Sequence, residues 1–141
     1  MGYKNPSAQL YLYTEIKAMP FFVKYHEGLQ AVVLELTGRI SIQSIREVAL
    51  EVVRVCRETG CQRILNNASG ADTRDLSFID VYSSPEVLEE CGILKTTKRA
   101  VVVPAIFNEA RFLENVTRNR GHYIRVFWDL DTATAWLCGN E

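Results

Sequence analysis

The sequence predicts an α/β fold: a single mixed, mostly parallel sheet of four to five strands with helices packed on it. Three observations carry this. Apolar, β-branched runs alternate with segments of helical periodicity along most of the chain. The later runs are each separated by enough residues to hold a helix, which calls for right-handed parallel crossovers. The run Ala100-Val101-Val102-Val103 is continuously apolar, as suits a central parallel strand covered on both faces.

The elements follow in order. In residues 1–19, Leu10, Leu12 and Ile16 interleave with Tyr11, Tyr13 and Glu15, which hints at an extended segment before Pro20. Residues 21–26 and 31–36 are apolar runs around Glu27-Gly28, which reads as an antiparallel hairpin. Thr37-Gly38 ends the second strand. Ser41 then caps a helix whose inward face is Ile42, Ile45, Val48, Ala49, Val52, Val53 and Cys56, with Gly60 as its stop.

Residues 62–67 form a short strand, and residues 68–75 a polar loop. Ser77 with Asp80 makes a capping-box-like start, and Ser84-Pro85-Glu86 a second start signal. A broken helix, or two short ones, is therefore expected before Gly92. Residues 98–103 are the buried strand. Residues 108–119 form a helix with Ala110, Leu113 and Val116 inward, stopped by Gly121. Residues 123–128 are the last strand, and Asp129 or Asp131 caps a final helix presenting Ala133, Trp136 and Leu137. The order is β-β-α-β-α-β-α-β-α.

Composition narrows the class. A chain of 141 residues suits one domain, expected over residues 20–141 with 1–19 as an extension. A 48% hydrophobic fraction with a net charge of −1 excludes a disordered chain. The near-neutral charge argues against non-specific nucleic-acid binding, which depends on neutralising phosphates. No stretch approaches the roughly 18 apolar residues of a membrane span. The amino terminus lacks an apolar signal core, and the cytoplasm is the expected place.

No catalytic or metal set emerges. Cys56, Cys61, Cys91 and Cys138 show no C-x-x-C spacing and read as small buried hydrophobes. His26 and His122 are the only histidines, and nothing brings them together. No nucleophile has a motif around it, and no glycine loop cradles a phosphate. A non-enzyme without cofactor or metal is expected. Arg118, Arg120 and Arg125 suggest a small basic patch or helix-end contacts. Of Tyr11, Tyr13, Phe21, Phe22 and Tyr25, much is expected in the core. An apolar patch left exposed there would favour a homodimer or a lipid-facing groove.

The candidate binding loop follows the third strand, where open α/β sheets place ligands at strand carboxyl ends. It comprises Asn67, Ser69, Asp72 and Thr73, each of which also has an ordinary role in a solvated turn. Asn66 and Asn67 point to opposite sides of the strand. Ser77 is the candidate phosphoacceptor, since a helix amino terminus stabilises an added phosphate, although a plain N-cap is the stronger reading.

Four stretches carry a family resemblance over residues 21–137. They are Leu36-Thr37-Gly38-Arg39-Ile40, Gly60-Cys61-Gln62-Arg63-Ile64-Leu65-Asn66-Asn67, Lys98-Arg99-Ala100-Val101-Val102-Val103, and Arg125-Val126-Phe127-Trp128-Asp129-Leu130-Asp131-Thr132-Ala133 with Ala135-Trp136-Leu137. Together they resemble the STAS superfamily of sulfate-transporter and anti-sigma-factor-antagonist domains, and most of all its SpoIIAA-like branch of small bacterial proteins.

The resemblance implies a non-catalytic regulatory module with a protein partner, switched by phosphorylation at the start of the helix after the third strand. The family pattern has an Asp closing that strand and an Asp-Ser or Asp-Thr pair beside a Gly. This chain has Asn67 and Leu76-Ser77-Phe78 instead, so Ser77 matches in position and departs in its flanks. The related SEC14-type domains imply the alternative, a carrier of a small apolar ligand or lipid.

Overall fold

A computed structural model of the chain describes residues 21–139. The expected extended segment in residues 1–19 lies outside the described residues. The element order is the one the sequence predicts, with five strands and four helices. β1 (Phe21–His26) and β2 (Ala31–Arg39) form the antiparallel hairpin, followed by α1 (Ile42–Thr59) and β3 (Arg63–Asp72). Then come α2 (Phe78–Cys91), β4 (Lys98–Val102), α3 (Ala110–Asn119), β5 (Tyr123–Phe127) and α4 (Leu130–Cys138).

The sheet order is β1-β2-β3-β4-β5, antiparallel only between β1 and β2. Chain order and sheet order coincide, and this sets the layers. Each of the three crossovers advances one strand in the same direction. With right-handed connections, α1, α2 and α3 must therefore fall on one face. They cover Val32, Leu34, Ile64, Val101, Ile124 and Val126. Among the described residues the opposite face receives only α4, which packs Ala133, Trp136 and Leu137 on Leu65, Ala100, Val102 and Phe127.

Helix ends follow from local chemistry. The Ser41 hydroxyl accepts from Ser44 N while Ser44 Oγ accepts from Ser41 N, and Gly60 closes α1 at φ 71°. Such caps are worth about 1 kcal/mol each. Asp129 caps α4 by accepting from the backbone N–H of Asp131 and Thr132. In the hairpin turn it is Gln30, at φ 51°, that takes the left-handed conformation, and Gly28 does not.

Several expectations are corrected. β2 runs on through Thr37-Gly38 to Arg39, and its extra residues pair with Gly70, Ala71 and Asp72. β3 therefore extends to Asp72, and residues 68–72 are strand, with Ala68 and Ala71 buried. α2 is one continuous helix across Pro85. Proline removes the N–H that would reach the Val81 carbonyl. The Ser84 hydroxyl replaces it, donating to Val81 O at 2.9 Å. In α3 the buried positions are Ala110, Glu114 and Thr117, while Leu113 and Val116 are half-buried.

The aromatics of β1 are not core: Phe21, Phe22 and Tyr25 are exposed because β1 is an edge strand that packs only Val23 inward. Of the cysteines, Cys91 is buried, Cys56 and Cys61 half-buried and Cys138 exposed, all as free thiols. Burial pushes the Cys56 thiol up to about 11, which suppresses its thiolate.

Candidate functional site: the two sides of one helix

The candidate loop residues separate into three groups. Asn67 and Ser69 belong to the strand and to each other: Asn67 Oδ1 accepts from Ser69 N at 3.2 Å and Ser69 Oγ at 2.7 Å. Asp72 closes β3. It binds Arg74 through a 2.8 Å ion pair and a 3.1 Å contact from Arg74 N, and that arginine holds its carboxyl below the usual range. Thr73 accepts from Leu76 N in the turn into α2. Beside it, Arg39 grips Asp75 at 2.6 and 3.1 Å. The loop is thus closed by its own pairs.

Ser77 is the N-cap of α2, exposed, with reciprocal 3.0 Å bonds to Asp80 through Asp80 N to Ser77 Oγ and Ser77 N to Asp80 Oδ2. A phosphate on Ser77 would gain from the helix dipole and lose to the adjacent Asp80 carboxylate.

The sequence points to a partner surface around residues 72–82; what the structure adds is an apolar grouping on the outer side of α2. Its first turns expose Phe78, Ile79 and Tyr82 at 58%, 69% and 63%. Phe78 stacks on Phe112 of α3, with ring centroids 4.1 Å apart, and Tyr82 lies 6.4 Å from the same ring. Arg111, one residue back, lies over Trp128 at 5.2 Å. Tyr82 is four residues after Phe78 and so shares its helix face. The expectation that nearly every apolar residue is core fails here. The signal was present in Leu76-Ser77-Phe78-Ile79, an apolar pair immediately after a cap, where a polar first turn is usual.

The inner side of α2 roofs a cavity of about 150 Å³ between the sheet and α1, α2 and α3. Its walls are mainly apolar, among them Leu36, Val48, Val52, Leu76, Val81 and Val101. Thr73 and Asp80 border it, so it reaches the strand carboxyl ends. Asn66 and Arg99 supply polar groups from the floor.

Next to the cavity is a charged cluster. Glu89 accepts from Arg120 at 2.6 and 2.9 Å and from His122 Nε2 at 2.8 Å. Arg120 and His122 hold the Glu89 carboxyl down at about 2. Burial pushes the His122 imidazole below its usual value, against the pull of Glu89. Its Nε2 faces the Glu89 carboxylate, and its Nδ1 is buried without a hydrogen-bond partner. Arg120 is accordingly no part of an open basic patch. His26 stands apart, its Nδ1 accepting from Leu29 N at 3.1 Å. Among the described residues no group of three His, Cys, Asp or Glu side chains gathers to hold a metal ion, and no helix is long and apolar enough to cross a membrane.

No family model and no curated protein matches the chain. Among solved structures, it is similar to an anti-sigma factor antagonist from Mycobacterium paratuberculosis, with a TM-score of 0.59 and 14% identity over 86% of this chain and 96% of that one. The likeness establishes the fold: it is the STAS-like, SpoIIAA-like architecture that the sequence resemblance implied.

Proposed function

We propose that this chain is a non-catalytic, cytoplasmic regulatory module that binds a protein partner on the outer side of α2. One observation carries the reading: Phe78, Ile79 and Tyr82 are exposed together, braced by Phe112, directly after the Ser77 cap. An apolar group of this kind costs solubility unless something covers it, and aromatic side chains are the usual anchors of protein interfaces. The fold it shares with an anti-sigma factor antagonist supports the same class of function.

The test is affinity capture with the full chain. A partner recovered by the wild type should be lost with Phe78→Ser/Tyr82→Ser, a change in exposed side chains that leaves the melting temperature within a few degrees. Equal recovery would refute the surface. Ser77→Ala addresses regulation: unchanged binding, and no phosphate on Ser77 in protein from growing cells, would remove the phosphoswitch. Light scattering shows whether the partner is a second copy, in which case the wild type is a homodimer and the double variant a monomer.

The cavity favours a second reading, a carrier of a small apolar ligand. Native mass spectrometry of gently purified protein should then show added mass that denaturation releases, and its absence would count against this reading.

A further inference from the structure

Lys98 and Arg99 are adjacent on β4 and point to opposite faces of the sheet. Lys98 Nζ is fully occupied. It donates to Trp136 O at 2.8 Å and Gly139 O at 3.4 Å, and lies 4.6 Å from the Trp136 ring. Arg99 is only 6% exposed, and its Nε and Nη2 have no acceptor. It lines the cavity together with Asn66, whose Oδ1 is also buried without a donor. A buried charge is ordinarily paired. Glu89, the acid whose charge acts on Arg99, is already taken by Arg120 and His122.

The missing partner can be identified by how this protein uses arginine elsewhere. Nε and Nη2 form one edge of the guanidinium. Arg39 applies that edge to Asp75 at 3.1 and 2.6 Å. Arg54 applies it to Glu51 at 3.0 and 2.7 Å, and Arg120 to Glu89 at 2.9 and 2.6 Å. In Arg99 the same edge is buried and unpaired, and the residue lines the cavity. Two parallel N–H groups match the two oxygens of a carboxylate.

We infer that the cavity takes a small hydrophobic carboxylate, its head on the Nε–Nη2 edge of Arg99 and its body among Leu36, Val48, Val52 and Val101. This rests on the apolar-ligand reading above and adds the charge and position of the head group. The volume sets the size. An apolar cavity of roughly 150 Å³ accepts a body like benzene, so the tail is one ring or a short alkyl chain. The Asn66 amide gives the head a second polar neighbour and can turn over to present either its oxygen or its nitrogen. Burial without a partner lowers the Arg99 guanidinium to about 10, and a bound anion would reverse that shift.

The test is calorimetric titration of the full chain with phenylacetate and hexanoate, and with the neutral amides phenylacetamide and hexanamide. The wild type should bind each carboxylate at least tenfold more tightly than its amide. Arg99→Met should bring acid and amide to parity. In the folded wild type, the Arg99 Nε–H resonance should move with phenylacetate and stay fixed with phenylacetamide, a readout that holds even if Arg99→Met does not fold. Equal affinity of the wild type for acid and amide would overturn the carboxylate inference and leave the apolar-ligand reading intact. No binding of any of the four would overturn both. A preference for acid that survives in Arg99→Met would also overturn the inference.

Discussion

Lys98 and Arg99 differ in what each charge meets. Lys98 reaches from its own face of the sheet to the last turn of α4, where its ammonium satisfies the Trp136 and Gly139 carbonyls and faces an indole. Lys98→Met should therefore cost about 2 kcal/mol in urea denaturation, since a charged hydrogen bond is lost and a buried carbonyl is left short of a donor. Arg99→Met should be neutral or stabilising in the same measurement, because it removes a buried charge that has no partner. A similar loss at both positions would mean that Arg99 is paired within the fold.

Glu89 gives the matching acid prediction. Its folded value of about 2 is below its ordinary 4.5, so it contributes stability above pH 4.5 and loses it as pH falls toward 2. His122 works in the same direction. Its lowered value means that the unfolded chain takes up the proton first, so stability falls once pH drops below about 6.5. Glu89→Gln should melt below the wild type at pH 7 and converge on it only as pH falls to about 2. Parallel curves would contradict the assignment.

Of the elements, α2 is the informative one. The sequence shows its start at Ser77 and its stop at Gly92, and it places Pro85 where a break is expected. What cannot be seen from Pro85 alone is that its neighbour substitutes for the lost donor. Ser84→Ala should cost about 1–2 kcal/mol by leaving the Val81 carbonyl bare. In a Pro85→Ala background the cost should shrink by about 1 kcal/mol, because residue 85 then regains its N–H. Additive losses would show that the Ser84 bond is not what carries the helix through.

Other elements were legible to different degrees. α1 was legible from cap to cap because its apolar spacing, Ser41 and Gly60 all agree. β3 was read too short because Ala68 to Asp72 is polar and small. Its strand character comes from pairing with Thr37, Gly38 and Arg39, a tertiary cause with no local trace. Glu114 on α3 was invisible for the same reason. It turns inward because Val126 N, at 2.8 Å, gives it a buried donor.

At the scale of the molecule, the agreement of chain order with sheet order places α1, α2 and α3 on one face, with α4 on the other. That much was readable from the spacing of strands and helices. The position of Ser77 as the cap of α2 was readable too, whereas the loop toward it was read too long, since residues 68–72 are strand. The two features that make this region a candidate site were not readable. The aromatic face exists because α2 and α3 lie side by side and bring Phe78, Tyr82 and Phe112 together. The cavity exists because α1, α2 and α3 do not fill the space above Asn66 and Arg99.

We propose the outer side of α2 as the surface that meets a protein. A photo-cross-linking residue at Ile79, compared with one at the exposed Ala135 of α4, tests it directly in cells carrying the full chain. Position 79 should give a discrete protein adduct, position 135 none, and Tyr82→Ser should abolish the adduct. No adduct at 79, or the same adduct from both positions, would contradict the proposal.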